Sequence, residues 1–123
     1  MDKNCKLGSL TKRSEFLYVR DGRYKAQGAV VIQVRKSPLE DTALTRAGFT
    51  ATKRIGNAVS RNRAKRRLRA IARTILPQYG LPGYDYVFIA RDSTISRPFA
   101  RLLDDCSKAL LSLRSQMQNH AEE

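Results

Sequence analysis

With 123 residues, 41% of them hydrophobic, the chain can bury one core, is too short for two ordinary domains, and is too apolar for a disordered polyelectrolyte. Its 24 Lys and Arg against 11 Asp and Glu leave a formal net charge of +13, an excess that makes most sense beside a polyanion, nucleic acid first. No run of about 18 apolar residues exists to span a membrane, residues 1–10 lack the apolar stretch of a secretory signal, and Cys5 and Cys106 show no framework spacing, so a reduced, cytoplasmic setting is expected.

No internal repeat or low-complexity tract interrupts the sequence, which reads as one compact domain over 1–123 with an ordered core from about 7 to 117. Residues 9–20 read as a first helix, capped by Ser9 or Thr11, carrying Leu10, Phe16, Leu17 and Val19 and stopped by Asp21-Gly22. The β-branched run 28–34 predicts a strand, residues 38–45 a mobile loop, and residues 47–52 a weaker strand. A central helix follows from about Asn57 to Ile75, with Asn57 as its N-cap and Pro77 as its stop. On this helix Ala64, Leu68, Ile71, Ala72 and Ile75 share an arc of roughly 100°, and cations fill the remaining circumference with guanidinium groups turned outward. Residues 84–90 predict a strong strand. The final helix starts near Ser96-Arg97-Pro98, with Ser96 as N-cap, and buries Phe99, Leu102, Leu103, Cys106, Leu110, Leu113 and Met117. Asp104 and Asp105 are placed on its solvated side. Helices laid on one sheet make an α+β sandwich.

The charge is unevenly distributed. Between Asp41 and Asp85 there is no acidic residue, while ten basic ones occur: Arg46, Lys53, Arg54, Arg61, Arg63, Lys65, Arg66, Arg67, Arg69 and Arg73. Like charges at i,i+4 destabilise a helix unless something compensates them, and an external anion is the simplest compensation. The preponderance of Arg over Lys favours bidentate phosphate contacts. Catalytic groupings are absent from the sequence. The one histidine, His120, stands near the end, the cysteines lack metal spacing, and the acidic pairs 40–41, 104–105 and 122–123 are scattered rather than clustered for two-metal chemistry. Gly80-Leu81-Pro82-Gly83 is a turn, not a phosphate loop. The pattern is that of a binder, with no catalytic residue and no metal ligand.

The block from Arg46 through Lys53-Arg54 and Arg61-Asn62-Arg63-Ala64-Lys65-Arg66-Arg67-Leu68-Arg69 closely resembles the signature of the protein subunit of bacterial ribonuclease P. Ser14-Glu15-Phe16 upstream and the strand 84–91 downstream extend the resemblance over roughly residues 7–115. It implies a four-stranded sheet with three helices in the order αβββαβα, similar to a ribosomal-protein domain. It further implies a basic helix lying against a catalytic RNA subunit, and a cleft between the sheet and the first helix for the single-stranded 5′ leader of precursor tRNA. Phosphodiester hydrolysis would be carried by Mg²⁺ held mainly by the RNA, with no small-molecule substrate. Carried over residue by residue, Arg61, Asn62, Arg63, Lys65, Arg66 and Arg69 would contact the RNA subunit, and Phe16, Lys53 and Arg54 the leader, with Phe16 either a stacking face or ordinary core. The chain departs from the pattern at Arg20 and Ile32, where relatives often carry aromatics, implying a more electrostatic cleft, and at Ala64, which affects packing alone. Two other readings fit the charge: a ribosomal-type RNA-binding protein, and a DNA-binding module with its basic helix in a major groove.

Overall fold

Strand β5 (Tyr84–Ala90) is buried on both faces because it has helices on each side, and the rest of the fold is arranged around it. The computed structural model describes residues 6–121, with side chains to residue 118. Its elements are β1 (Lys6–Ser9), α1 (Arg13–Arg20), β2 (Arg23–Gln27), β3 (Val30–Lys36), β4 (Leu44–Thr50), a 3₁₀ turn (Lys53–Ile55), α2 (Ala58–Tyr79), β5 and α3 (Phe99–Ala121). One mixed sheet has the order β1-β4-β5-β3-β2. β4 runs parallel to β5 and to β1, while β3 is antiparallel to β5 and β2.

The two faces of the sheet differ. Val30, Ile32, Val34, Ala47, Tyr86, Phe88 and Ala90 meet the apolar stripes of α2 and α3 in the main core. On the opposite face α1 covers Val87 with Val19, Leu10, Phe16 and Tyr18, leaving Ile89 partly buried at the margin of this smaller cluster. From α2, Leu68, Ile71, Ile75 and Leu76 are almost fully buried, each contributing about 1.5–3 kcal/mol. Cys106 is core, as its place in the α3 stripe predicts. Burial and the neighbouring Asp105 charge push its thiol up to about 12, so it stays protonated and inert.

The sheet has five strands, one more than the four the resemblance implies, and β1 and β2 went unread. Of the residues read as the first helix, Ser9 ends β1 and α1 begins only at Arg13. Neither Ser9 nor Thr11 caps it. Glu15 turns back instead, its carboxylate accepting from the N–H groups of Thr11 and Lys12, both at 2.9 Å. β2 is a short edge strand whose two apolar residues, Tyr24 and Ala26, are exposed while Arg23, Lys25 and Gln27 are half-buried. β4 starts at Leu44, inside the predicted loop. Pro77 does not end α2: a proline removes only its own N–H bond, and the helix closes at Gly80, whose N–H donates to Leu76 O at 2.9 Å. Ser96 is not the cap of α3, since Pro98 O accepts the first helical bonds from Arg101 and Leu102. Phe99, assigned to the buried stripe, is 47% exposed. Asp105, assigned to solvent, is buried. It accepts from the Ala29 N–H (3.0 Å) and pairs with Arg97 (2.9 Å), tying the β2–β3 turn to α3. Gly28 is required in that turn, with φ of +54° and no room for a Cβ, which would lie 2.4 Å from the Asp105 carboxyl.

An ion cluster joins α1 to strands β4 and β5. The Arg46 guanidinium reaches Asp85 through Nε (2.9 Å) and Nη2 (2.7 Å), and Glu15 through Nη1 (2.9 Å). Asp85 is fully buried, and Arg46 lies directly opposite it in the β4–β5 ladder. Removing one partner of such a cluster leaves an uncompensated charge, so Asp85→Ala should lose about 3–5 kcal/mol in urea unfolding. The Glu15 carboxyl is held below its ordinary value near 4.5, chiefly by the backbone N–H groups of Lys12 and Thr11, and also by Arg46. Its stabilising contribution is therefore complete above the unfolded value and fades as pH falls through the lower folded value. Glu15→Gln should flatten the loss of stability on acidification, measured as melting temperature from pH 6 to pH 3.

Candidate RNA-binding surfaces

Helix α2 starts where Asn57, as the sequence predicts, accepts the Ser60 N–H at 2.9 Å, after a 3₁₀ turn that ends at Gly56 with φ of 137°. From there the cations diverge. At about 100° per residue, Asn62, Arg66, Arg69 and Arg73 fall on one exposed side that flanks the buried stripe next to Ala72 and Leu76. Arg63 is exposed on the side opposite the stripe. Arg61 and Lys65 are half-buried beside the core arc, and Arg61 Nη1 turns back to Gly56 O at 2.8 Å. The six residues thus wrap the N-terminal half of α2 rather than forming one patch. Arg73 belongs with Asn62, Arg66 and Arg69. Its seven-residue spacing from Arg66 was the available signal, although the signature stops at Arg69.

Two of the ten cations in the acid-free stretch turn inward. Arg46 is held in the ion cluster. Arg67 does not point to solvent: its guanidinium donates to the carbonyls of Thr94, Ile95 and Arg97 and lies 5.8 Å from the Phe99 ring centre, closing the loop before α3. Arg69 is exposed but anchored, its guanidinium 5.3 Å above the Phe49 ring, which itself stacks on Phe88 at 5.4 Å.

On the face carrying α1, the cross-strand rows are Gly48–Val87–Gln33–Tyr24 and Thr50–Ile89–Val31–Ala26. Helix α1 covers the first row at Val87, and the second row stays partly accessible. Phe16 lies at the covered end. Its ring packs so closely on Gly48 that a Cβ there would lie 2.6 Å from its Cζ, and it is half-buried against Leu10. Lys53 and Arg54 are exposed on the 3₁₀ turn, beyond the end of β4. Arg54 shares a polar hollow with Thr52, Ile89 and Arg91, whereas Phe16 lines a different groove beside β1. The three leader-assigned residues therefore border the α1 side without lining one pocket. Ile32 is not on that side: it is fully buried in the core beneath α3, so it says nothing about the cleft. Arg20 is exposed at the end of α1, and the exposed aromatic of this face is Tyr24, on edge strand β2.

The carboxylates Glu15, Asp41, Asp85, Asp104 and Asp105 are each paired with Arg or Lys. This donor set does not suit a hard cation, and no group of three His, Cys, Asp or Glu comes together among the described residues. No helix among them is long and apolar enough to cross a membrane. The side chain of His120, and Cys5, lie outside the described residues.

Because Arg67 satisfies loop carbonyls, Arg67→Ala should cost about 1.5–3 kcal/mol of stability in denaturant unfolding. The double change Arg63→Ala with Arg66→Ala, on exposed positions, should leave the melting curve within about a degree of the parent.

A ribonuclease P family model matches residues 5–114. The ribonuclease P protein component of Caulobacter vibrioides is 51% identical over 112 residues, covering 91% of this chain and 74% of the relative. That of Ruegeria pomeroyi is 50% identical over 107 residues, covering 86% of each. The solved RNase P protein from Thermotoga maritima superposes with a TM-score of 0.71 at 25% identity, covering 85% of this chain and 96% of that one. The Staphylococcus aureus RNase P protein is alike in fold, with a TM-score of 0.69 at 22% identity, over 83% of this chain and 91% of its own. The basic helix, the sandwich around it and these likenesses agree: the chain belongs to the ribonuclease P protein component family.

Proposed function

We propose that the chain binds the catalytic RNA subunit of ribonuclease P through α2 and guides the 5′ leader of precursor tRNA across the open part of the sheet beside α1. The observation that carries this reading is the exposed side of α2, where Arg66, Arg69 and Arg73 stand with Asn62 and no acidic residue occurs anywhere in the helix. Such a surface is tuned to phosphates, and its breadth suits backbone contact better than the narrow edge with which a DNA-reading helix enters a major groove. Arg61, Arg63 and Lys65 extend the contact around the start of the helix. Lys53, Arg54 and Arg91 supply charge at the far end of the sheet face, and Phe16 an aromatic edge at the near end.

In this reading the polypeptide supplies position and charge, and magnesium is held by the RNA subunit, which carries the hydrolysis that removes the leader. A cytoplasmic location belongs to the same proposal, because precursor tRNA is made there.

Reconstitution tests it directly. Purified protein without RNA should leave precursor tRNA intact, and addition of the RNA subunit at low magnesium should give site-specific 5′ cleavage. Cleavage by RNA-free protein, lost on changing an Asp or Glu, would refute the division of labour. Arg63→Ala with Arg66→Ala should weaken RNA-subunit binding and flatten the slope of log K against log salt by about one unit per lost phosphate contact. Phe16→Leu should weaken binding of leader-bearing precursor while sparing mature tRNA. Equal weakening of both tRNA forms, or a melting temperature lower by many degrees, would make Phe16 a packing residue only.

A further inference from the structure

A groove of about 340 Å³ runs between β1 and α2, at the sheet edge farthest from β2. Leu10, Ala47, Ala72 and Leu76 form an apolar floor, Phe49 and Arg69 one wall, Arg73 the rim, and the Phe16 ring enters from the α1 side. None of its lining residues is acidic. Three planar groups lie in succession here: the Phe88 ring, the Phe49 ring at 5.4 Å, and the Arg69 guanidinium 5.3 Å above Phe49. The guanidinium has an aromatic ring on one side and is exposed, so the ladder can accept one more planar group. Edge strand β1 adds hydrogen-bonding capacity. Lys6 and Leu10 donate to Ala43 and Ala47 on the β4 side, so by alternation Leu7 and Ser9 turn their N–H and C=O groups away from the sheet.

We propose that this groove takes one unpaired nucleobase of the RNA subunit, stacked on the Arg69 guanidinium, with its phosphate toward Arg73. The inference rests on the reading that α2 faces that RNA, and it adds a base-stacking site to what would otherwise be phosphate contact alone. A flat, electron-rich ring suits a guanidinium backed by an aromatic, and the two arginines match a nucleotide's charge. A double helix is too wide for the groove. An acidic peptide would engage the charge but leave the stacking ladder unused.

The test separates planarity from charge. Arg69→Lys keeps the cation and removes the stacking plane, so affinity for the RNA-subunit transcript should fall about tenfold, at the low end of a single base stack, with an unchanged salt slope. Chemical probing of the RNA at saturating protein should show one or two unpaired bases protected by the parent protein, exposed with Arg69→Lys, and still protected with Arg63→Lys. Equal affinity and equal protection for Arg69→Lys and parent would overturn the proposal. So would a loss confined to leader-bearing precursor tRNA, which would assign the groove to the leader instead. If Arg63→Ala with Arg66→Ala still weakens RNA-subunit binding in those cases, only the groove assignment falls; if that double change is also without effect, the α2 reading falls with it.

Discussion

A fully buried carboxylate in a chain of net charge +13 organises this molecule. Asp85 holds Arg46 by two hydrogen bonds across the parallel β4–β5 seam, and Arg46 extends its remaining amino group to Glu15 on α1. The same Glu15 carboxylate closes the start of α1 by accepting two backbone N–H groups. One guanidinium thus fixes the pairing of two strands and the seating of the helix above them. Phe16 follows Glu15 directly, so the placement of its ring over Gly48 depends on that cluster. A buried charge is tolerable here because each carboxylate oxygen and each guanidinium nitrogen has a partner, which also gives the contact its geometric specificity.

Much of the design was legible in the sequence because it follows periodicities. The α2 stripe of Ala64, Leu68, Ile71, Ala72 and Ile75 is buried as the helical spacing requires, and Asn57 caps that helix. β5 and the burial of Cys106 follow equally from pattern. The elements that escaped have no such signature. β1 is four residues long at a sheet edge, and β2 has only Tyr24 and Ala26 as apolar residues, both exposed, so neither carries a long apolar run to announce it. The Asp105 pairing with Arg97 and Ala29 joins residues 8 and 76 positions apart in the chain, and nothing local announces it. Composition placed Asp105 in solvent; the left-handed turn at Gly28 brought it inside.

For the candidate site, the sequence marked α2 as the basic helix but could not tell which of its cations face outward. Arg67 and Arg69 are two residues apart and chemically identical, yet one closes a loop of carbonyls and the other lies on an aromatic ring at the surface. Arg46, in the same acid-free run, is an internal strut. Charge counting therefore overstates the binding surface, and only the three-dimensional partners sort the arginines. Ile32 shows the same limit from the other side: strand residues alternate faces, and its side chain packs in the core beneath α3 rather than on the face that carries α1.

Once sorted, the free charge and the aromatic groups fall into two regions that meet at the β1 edge. Arg66, Arg69 and Arg73 lie on the exposed side of α2, whereas Tyr24 and Ile89 belong to the face across the sheet, and Phe16 reaches the groove that Arg69 and Arg73 also line. The sheet between them is stiff, because β5 is hydrogen-bonded on both edges and packed on both faces. Two RNA segments held by these regions would be kept at a fixed separation, set by the thickness of one sheet and the helix packed on it. That spacing can do what a flexible basic tail cannot: it converts electrostatic attraction into orientation. The inward arginines serve the same end, since Arg46 fixes α1 and Arg67 fixes the approach to α3, so the outward ones stand on supports that do not yield. On the division of labour proposed above, rigidity of this kind is what the protein scaffold would contribute to chemistry carried by the RNA.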